Sequence, residues 1–394
     1  MLINDKRALA YTTRIDWVKP IEGADNIELV GIGGWTCIAK IGEFKEGDLC
    51  VYFEIDSKLP EDKEWCEFLA PKKFKVKTMK LSKFGVISQG LALPITVFDV
   101  KIPNEINIDC TELLGVTYCE AADNERKGSG PDKYKKMAQR RPKLFKKRWA
   151  RWMMKREWGR RLMFFFFGKK KDKKGGWPAW VVKTDEERVQ NLPYLFNGQD
   201  QGIWIATEKV DGSSTTFTMK GKKKEFFVCS RNVVFDKPDK KCFYETNIYT
   251  EMAEKYHMEL IMRRWMDWMK EAGHELEFLT IQGETYGEGV QKRTYGLKEH
   301  KLAIFNVIYG YKDGHTERLN PIDMKIVCDS FELPTVPVLG RLTLPTTCEE
   351  TLAMAEAMPS KIDGGMREGI VFRSEDGIRS FKAVSNAFLL KYHG

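Results

Sequence analysis

The sequence predicts an α+β protein with a small β-barrel at its N-terminus and a second domain built mainly of antiparallel sheet. Short runs rich in Val, Ile, Tyr, Phe and Thr, separated by Gly, Pro, Asp and Asn, fill residues 1–120. Residues 121–176 are strongly basic. From 177 to 394, strand-like runs and one long helical pattern follow each other without the regular alternation of a parallel α/β fold.

The N-terminal region contains about five strand-like runs, among them "IELVGIGGWTCIAKI" and "DLCVYFEIDSKLP". Strands of this number and spacing suit a closed barrel of the OB type, a fold that binds nucleic acids. The run "KFKVKTMKLSK" between Lys73 and Lys83 carries enough lysine to face a phosphate backbone. A solvated basic loop explains the same run equally well.

The region 121–176 is predicted to be a basic linker with a helical insert. Its segment 126–174 contains 21 of the 65 Lys and Arg residues and three of the 56 Asp and Glu residues, a net charge of +18, whereas the rest of the chain has a net charge of −9. The run "PKLFKKRWARWMMKREWGRRLMFFFF" predicts a basic amphipathic helix. Arginine and tryptophan together suit stacking on bases and binding of phosphates. Packing of the aromatic face on a domain and contact with a membrane surface are the alternatives.

The composition argues against several classes of protein. The chain has no run of 18 apolar residues, so no transmembrane helix is expected, and its first residues lack the apolar core of a secretion signal. Nine cysteines without a CxxC pair indicate reduced thiols rather than disulfides or a zinc site. The five histidines are too well separated to support a metal site or a catalytic triad. We therefore expect a cytoplasmic protein.

The region 177–394 is predicted to form an α+β domain dominated by antiparallel sheet. Its strand-like runs include "GIWIATEKV", "EFFVCSRNVVF", "LTIQGETYG" and "KLAIFNVIYGY". The stretch 246–273 has apolar residues at helical spacing and ends at Gly273, so it is predicted to be helical.

A lysine and an aspartate stand close together in "TEKVDGSSTT", as Lys209 and Asp211, and Gly212 follows them. Taken alone the motif is common, and an ion pair on a strand explains it. Further elements follow in order along the chain: "SRN" at 230–232, "IQGETYGEGVQ" at 281–291, "IFNVIY" at 304–309, "EGIVFR" at 368–373 and "SFKAVSN" at 380–386. The ordered set, rather than any single motif, indicates a functional site.

These elements resemble motifs I, Ia, III, IIIa, IV and V of the covalent nucleotidyltransferases, the superfamily of ligases and mRNA capping enzymes. Within it the sequence resembles the ATP-dependent polynucleotide RNA ligases that carry an OB domain at the N-terminus. The lead-in at 177–193 and "SQGL" at 88–91 share this resemblance, which covers nearly the whole chain except about 125–175. Only 12 residues follow Lys382. We therefore expect no further OB domain of the kind that DNA ligases and capping enzymes carry after motif V.

The resemblance implies that Lys209 is the nucleophile that accepts AMP from ATP. The amine must be deprotonated to attack phosphorus, and a free lysine has a pKa near ~10.4. Burial and a neighbouring metal cation are expected to lower that pKa. Asp211, Glu284 and Glu368 come from separate strands and are expected to hold a hydrated Mg²⁺ or Mn²⁺. Together with Lys382 these residues form the predicted catalytic set.

The resemblance also implies a set of nucleotide-binding residues. Phe305 is expected to stack on adenine, and a plain core residue is the alternative. Glu208 is expected beside the nucleobase, and Arg231 at the ribose or at a nucleic-acid phosphate. Lys183 and Arg188 in the lead-in are expected to bind the β and γ phosphates. The complete predicted set is Glu208, Lys209, Gly212, Arg231, Glu284, Phe305, Lys382, Lys183 and Arg188.

Motif V departs from the pattern of the family. Many ligases have two lysines there, one residue apart, whereas Lys382, expected at the α-phosphate, is followed by alanine and valine. Lys391, Ser385 and Arg379 are the candidates to replace the second lysine.

We therefore expect an ATP-dependent RNA ligase that joins 3′-OH and 5′-phosphate ends through lysyl-AMP and an AMP-capped 5′ end. ATP and Mg²⁺ or Mn²⁺ would be its cofactors. RNA or RNA/DNA hybrid ends, in a nicked duplex, would be its partners, with 126–174 as a polynucleotide contact and the protein acting as a monomer. The alternatives are a DNA ligase or guanylyltransferase of the same superfamily, and a non-catalytic nucleic-acid-binding scaffold with a degenerate nucleotidyltransferase domain.

Overall fold

The computed structural model of the protein describes residues 1–3, 6–119, 147–154, 156, 159, 163, 177–182, 185–196, 202–235 and 247–392. Its contacts divide the chain into two compact units, one formed by Met1–Tyr118 together with Trp177–Gly394 and the other by Cys119–Gly176. The first unit contains the N-terminal domain and the domain that carries the ordered motifs. No helix within the described ranges is long and apolar enough to cross a membrane.

The N-terminal domain is built from short antiparallel strands. In chain order its elements are β1 (Leu2–Ile3), β2 (Lys6–Arg7), β3 (Ala10–Arg14), β4 (Trp17–Pro20), β5 (Ile27–Ile32), β6 (Trp35–Lys40), β7 (Leu49–Phe53), β8 (Ser57–Lys58), a 3₁₀ helix (Glu64–Lys72), β9 (Met79–Leu81), β10 (Val86–Ser88), β11 (Leu91–Pro94), a 3₁₀ turn (Ile95–Val97) and β12 (Thr117–Tyr118). One sheet has the strand order β11-β7-β3 and another the order β4-β5-β6.

The two sheets of this domain share a core. In β6, the buried residues Trp35, Cys37 and Ala39 alternate with more exposed ones, as expected for a strand with one face on a core. The same core takes in Tyr52 from β7. The N–H of Gln89 donates to the carbonyl of Thr36 over 2.7 Å and so joins β6 to the segment after β10.

The second unit contains a short basic helix, α1 (Arg148–Met154). Trp149 and Trp152 on this helix are exposed, whereas Ala150 is buried. The phenylalanines at 164–167 of the predicted amphipathic helix lie outside the described residues. The choice between nucleic-acid contact, packing and membrane contact for this segment stays a prediction.

The C-terminal domain contains two sheets. Its elements are β13 (Glu187–Arg188), two 3₁₀ turns (Val189–Asn191 and Pro193–Phe196), β14 (Ile203–Lys209), β15 (Ser213–Lys220), β16 (Glu225–Ser230), β17 (Val234–Phe235), α2 (Ile248–Lys255), α3 (Met258–Glu271), β18 (Leu276–Gly287), β19 (His300–Tyr311), β20 (Thr316–Arg318), α4 (Pro321–Ser330), β21 (Val338–Thr343), α5 (Cys348–Ala357), β22 (Gly369–Ser374), β23 (Ser380–Val384) and α6 (Asn386–Tyr392). The five-stranded sheet has the order β13-β23-β22-β14-β21, and the six-stranded sheet the order β17-β16-β15-β18-β19-β20. The β13–β23 pair is parallel, and the other described strand pairs of this domain are antiparallel.

Each sheet of the C-terminal domain has its own hydrophobic core. The six-stranded sheet packs against α2 and α3, whose Met262 and Trp265 are fully buried. The five-stranded sheet buries Trp204 and Phe372 in a cluster that includes Ala355 of α5. Burying a large apolar side chain stabilises a fold by about 2–3 kcal/mol, so both sheets are well supported.

The helical stretch predicted at 246–273 forms two helices, α2 and α3, rather than one. His257 between them has φ 48° and ψ 38°, a left-handed conformation that a continuous right-handed helix does not contain. The side chain of Asn247 caps α2 by accepting a hydrogen bond from the N–H of Tyr249. As predicted, the helical structure stops just before Gly273, whose φ of 87° suits glycine at that position.

The chain passes from the five-stranded to the six-stranded sheet through residues 210–212. In the five-stranded sheet Lys209 pairs with Gly369, so Glu368 emerges beside Lys209. In the six-stranded sheet Ser214 pairs with Glu284. The register of the two sheets therefore brings a lysine and two acidic residues from distant parts of the chain to one place.

Candidate active site

A cavity of about 410 Å³ lies where the two sheets of the C-terminal domain meet. Among the predicted site residues, nine line this cavity: Lys209, Asp211, Glu284, Glu368, Lys382, Glu208, Gly212, Arg231 and Phe305. Arg188 does not line it. Lys183 lies outside the described residues.

Lys209, at the end of β14, forms an ion pair with Glu368. Its Nζ lies 2.6 Å from Oε1 of Glu368, and 26% of the lysine side chain is exposed. Burial lowers the pKa of Lys209, but the carboxylates of Glu368, Glu284 and Asp211 outweigh burial and raise it above its usual value. The expected lowering by burial is therefore reversed by the neighbouring acids. Lys209 becomes a neutral amine near neutral pH only when added positive charge offsets those carboxylates.

The acidic residues of the cavity suit a hydrated divalent cation. Burial raises the pKa of Glu284 to about 8, against the opposing effect of the Lys209 ammonium, so a nearby cation would favour its ionised form. Oε2 of Glu368 is buried and has no hydrogen-bond partner in the described part of the chain. Within the same ranges no three acidic, cysteine or histidine side chains are close enough to bind a metal ion directly. The carboxylates therefore fit Mg²⁺ or Mn²⁺ that keeps some of its water ligands.

The turn between the sheets requires glycine at position 212. A Cβ atom on Gly212 would lie 2.3 Å from the carbonyl oxygen of Thr285, far inside van der Waals contact. The preceding N–H, that of Asp211, donates to the hydroxyl of Tyr295 over 2.7 Å. This close approach holds Asp211 and Lys209 against β18, the strand that carries Glu284.

Asp185 links two of the predicted phosphate-binding cations. Its Oδ1 accepts a hydrogen bond from Nζ of Lys382 at 3.1 Å, and its Oδ2 accepts one from Nη2 of Arg231 at 2.5 Å. Burial would raise the pKa of Asp185, but Lys382 and Arg231 together hold it below its usual value. Burial lowers the pKa of Lys382, and the Asp185 carboxylate opposes that effect. Asp185 is not among the predicted site residues, although it stands in the lead-in as an acid close to two basic residues.

Arg373 is a second lining residue that the sequence analysis did not single out. Only 3% of its side chain is exposed, and burial lowers its pKa to about 10. Its Nη1 donates to the carbonyl of Phe305 at 3.2 Å, and its Nη2 lies 3.4 Å from Oε1 of Glu186. The hydrogen bond fixes the backbone of β19 where the half-buried ring of Phe305 lines the cavity. Arg373 is the last residue of the "EGIVFR" motif, and this position is the feature of the sequence that could have identified it.

Glu208 lines the cavity, but its carboxylate binds a loop of the same domain. The hydroxyl of Ser360 and the N–H of Lys361 donate to it, the latter over 2.8 Å. Glu208 thus anchors the loop before Glu368. Its predicted position beside a nucleobase stays a prediction.

Comparisons with known proteins show which proteins this chain is similar to. The sequence profile of the RNA ligase family matches residues 202–393, and an OB-fold domain profile matches residues 9–95. The chain is similar to a Naegleria gruberi RNA ligase mutant with ATP and Mn, with 29% sequence identity and a TM-score of 0.66. The similarity covers 98% of this chain and 99% of that one. The C-terminal domain of the chain belongs to the RNA ligase family. The predicted fold class, an OB domain before a nucleotidyltransferase domain of mostly antiparallel sheet, is confirmed.

Other solved structures of the Naegleria gruberi enzyme are similar to this RNA ligase. The structure with pyrophosphate has a TM-score of 0.65, and that of a mutant with AMP and Mn has 0.66, each at 29% identity and with 98% of this chain and 99% of that chain covered. No curated protein is significantly similar in sequence.

The ligase has no second lysine in motif V, and the candidates to replace it lie elsewhere. Among the described residues that line the cavity, Lys391, Ser385 and Arg379 are absent. The guanidinium of Arg379 lies 5.0 Å from the centroid of the Trp204 ring, and Nζ of Lys391 lies over Tyr392. The backbone of Arg188, by contrast, pairs with that of Lys382 in the parallel β13–β23 ladder.

Proposed function

We propose that this RNA ligase is ATP-dependent and seals nicks with 3′-OH and 5′-phosphate ends in RNA or RNA/DNA hybrid duplexes during RNA repair. The observation that carries the proposal is the position of Lys209. Its amine lies at 2.6 Å from Glu368, in a cavity that is also lined by Lys382, Asp211 and Glu284. The family membership supports ligation, and the similar Naegleria gruberi structures with ATP, AMP, pyrophosphate and Mn support the choice of nucleotide and metal.

In the first step the neutral amine of Lys209 attacks the α-phosphorus of ATP. An N–P bond forms, the bond from the α-phosphorus to the bridging oxygen breaks, pyrophosphate leaves with the electron pair, and the nitrogen loses one proton. Lys209 thereby becomes lysyl-AMP. Bound Mg²⁺ or Mn²⁺, held through water by Asp211, Glu284 and Glu368, would supply the positive charge that lowers the pKa of Lys209 and offsets charge on the departing phosphates.

The side chains around Lys209 position the nucleotide. Lys382 is assigned to the α-phosphate, because its ammonium lines the same cavity and is held there by Asp185. The ring of Phe305 is assigned to the base, because its backbone is fixed by Arg373 and its ring lines the cavity from the six-stranded sheet. Arg188, with Lys183, is assigned to the β and γ phosphates.

In the second step an oxygen of the RNA 5′-phosphate attacks the phosphorus of lysyl-AMP, and the N–P bond breaks to regenerate the amine. In the third step the 3′-oxygen attacks the phosphorus of the 5′-phosphate and loses its proton, a phosphodiester forms, and the P–O bond to AMP breaks so that AMP leaves. The OB domain and the basic segment 126–174 are proposed to hold the polynucleotide, since counterion release favours basic surfaces on a phosphate backbone. We propose that the protein acts as a monomer. We also propose a cytoplasmic location, because the eight described cysteines are all free thiols.

The test is label transfer from ATP that is radiolabelled on its α-phosphate. The parent protein should become labelled and Lys209→Ala should not, because the substitution removes the proposed nucleophile. Lys220→Ala is the matched control, since Lys220 ends β15 and pairs with Glu277 at 3.8 Å outside the cavity. It should label like the parent. Persistent labelling of Lys209→Ala would contradict the mechanism.

The same assay separates the alternatives. Labelling by GTP in preference to ATP would indicate a guanylyltransferase, and preferential sealing of nicks made only of DNA would indicate a DNA ligase. A parent protein that takes no label from any nucleotide would be a scaffold. Transfer of AMP to the 5′-phosphate of a nicked RNA, followed by closure, is the expected outcome.

A further inference from the structure

Tyr295 has a backbone conformation that a tyrosine rarely adopts. Its φ is 53°, in the left-handed region where the Cβ atom of an L-residue crowds the backbone. The next residue, Gly296, has φ 66° and pays no such penalty. A bulky residue in this region is strained, and such residues persist where the surrounding structure over-determines their conformation. The contacts of the Tyr295 side chain therefore have to hold it there.

The Tyr295 side chain is buried, with 5% of the residue exposed, and it makes three contacts. Its hydroxyl accepts a hydrogen bond from the N–H of Asp211 over 2.7 Å. Its ring meets the ring of Tyr286 edge to face, with centroids 5.1 Å apart. The guanidinium Cζ of Arg293 lies 4.2 Å from the centroid of the Tyr295 ring, within the distance of a cation–π contact. The two ring contacts hold the tyrosine while its hydroxyl binds the turn between the two sheets.

Arg293 is a buried cation that core stability alone does not explain. Only 3% of its side chain is exposed, and its Nη2 donates to Oδ1 of Asp363 over 2.6 Å. Its Nε and Nη1 are buried and have no hydrogen-bond partner in the part of the chain that the structure describes. The rings of Phe388 and Tyr392 on α6 each lie 5.8 Å from its Cζ. Apolar residues in place of a buried ion pair are often as stable or more so, which indicates a role for Arg293 beyond filling the core.

The segment from Gln291 to Tyr295 holds the turn between the sheets at two successive residues. Nε2 of Gln291 donates to the carbonyl of Gly212 over 3.1 Å, and the N–H of Asp211 donates to the Tyr295 hydroxyl. The turn begins directly after Lys209, the last residue of β14. The Tyr295 hydroxyl therefore helps to fix the backbone from which the Lys209 amine extends into the cavity.

We propose that Tyr295 is a positioning residue for the first step: Arg293 holds it in its strained conformation, and its hydroxyl fixes the turn that directs the Lys209 amine at the α-phosphorus of ATP. Tyr295 is not among the described residues that line the cavity, so it acts through the backbone of Asp211. The proposal rests on the proposed function, because it needs ATP to react at Lys209. Closure of a nick whose 5′ end already carries AMP forms no bond to Lys209 and should depend little on Tyr295.

The experiment uses the full chain and measures two rates for each variant. One is label transfer from ATP to the protein over a range of ATP concentrations, and the other is closure of a nick whose 5′ end is already adenylylated. Tyr295→Phe removes only the hydroxyl, so label transfer at saturating ATP should fall about 5- to 30-fold, within the range for a buried N–H that loses its acceptor. The KM for ATP and the rate of closure should stay within about twofold of the parent values.

Tyr309→Phe is the matched control. Tyr309 is 4% exposed, its hydroxyl accepts a hydrogen bond from the indole N–H of Trp265 over 3.1 Å, and it is not among the described lining residues. The control thus loses the same kind of buried hydrogen bond in the same domain. Its melting temperature should fall about as much as that of Tyr295→Phe, but its label transfer should be unchanged. A loss of label transfer that follows the loss of stability in both variants would show that Tyr295 is only structural.

A double variant tests whether Arg293 acts through Tyr295. Arg293→Gln should slow label transfer by a factor similar to that of Tyr295→Phe. The two changes together should cause little further loss, because a released ring no longer holds its hydroxyl at the turn. Arg293→Lys keeps a cation that can pair with Asp363, so it should recover part of the rate. Thermal melting shows whether the Arg293 variants are folded, and if they are not, Tyr295→Phe and its control carry the test.

Four other results would overturn the proposal. Tyr295→Phe could leave label transfer unchanged, slow both measured rates equally or raise only the KM for ATP, or its effect could multiply with that of Arg293→Gln. Absence of label in the parent protein is a different result, because it removes the proposed function itself.

Discussion

The five-stranded and six-stranded sheets contribute different chemical groups to one cavity. The five-stranded sheet supplies the cations Lys209 and Lys382, and Glu368 precedes one of its strands. The six-stranded sheet supplies Glu284 and the ring of Phe305. Neither sheet holds a complete site. We therefore expect Lys209, Lys382 and Glu368 on the five-stranded side to affect mainly the rate of phosphoryl transfer, and Phe305 on the six-stranded side to affect mainly binding of the nucleotide.

The largest expected effect is on the five-stranded side. Glu368→Gln removes the charge that holds Lys209 in place and one acid suited to the cation, so label transfer at saturating ATP should fall on the order of 100-fold, with little change in KM for ATP. The control is Glu375→Gln, just after the far end of β22, where Glu375 pairs with Arg341 outside the cavity. An equally large loss in the control, or a defect confined to KM, would remove the proposed division between the sheets.

A smaller effect is expected on the six-stranded side. Phe305→Leu keeps most of the apolar contact with the core but loses the aromatic surface, so KM for ATP should rise about tenfold, within the range of base–aromatic stacking. The rate at saturating ATP should change little. Phe235→Leu is the control, because Phe235 is also half-buried in this sheet but packs on Tyr249 away from the cavity. If Phe305→Leu lowers only the saturating rate, Phe305 acts on the chemical step rather than on binding of the nucleotide.

The smallest effect is expected at the rim of the cavity. Asp185 and Arg231 are 60% and 63% exposed, and ATP phosphates must compete with this carboxylate for Arg231 and Lys382. Exposed ion pairs contribute about 0–1 kcal/mol, so Asp185→Asn should lower KM for ATP by up to about fivefold. Asp329→Asn breaks a comparable exposed pair with Lys325 and should have no effect. A rise in KM for Asp185→Asn would show that Asp185 orients the cations instead of competing for them.

Much of the site was predictable because local chemistry required particular residues in a particular order. Lys209, Glu284 and Glu368 were singled out as members of an ordered set, and all of them line the cavity. Gly212 was noted as part of the first motif, and the structure gives the reason, since a side chain there would collide with Thr285.

Other features depend on contacts that no local pattern records. The pKa of Lys209 is raised because three carboxylates from different elements surround it, and burial alone suggested the opposite direction. The helical stretch divides at His257 because this residue has a left-handed backbone conformation, which a histidine in the sequence does not predict. The contact of Asp185 with Lys382 exists only in the tertiary structure, because the two residues lie far apart in the sequence.

The sequence by itself determined the chemical groups, their order and the class of fold, because strand patterns, motif spacing and charge distribution are local properties. Only the tertiary structure decided which group faces which. In the tertiary structure Lys209 forms its ion pair with Glu368 rather than with Asp211, and the guanidinium of Arg188 lies over the ring of Trp35 in the other domain. The physical reason is that strand register and domain contact, which are set by packing over the whole chain, fix the distances on which charge interactions depend.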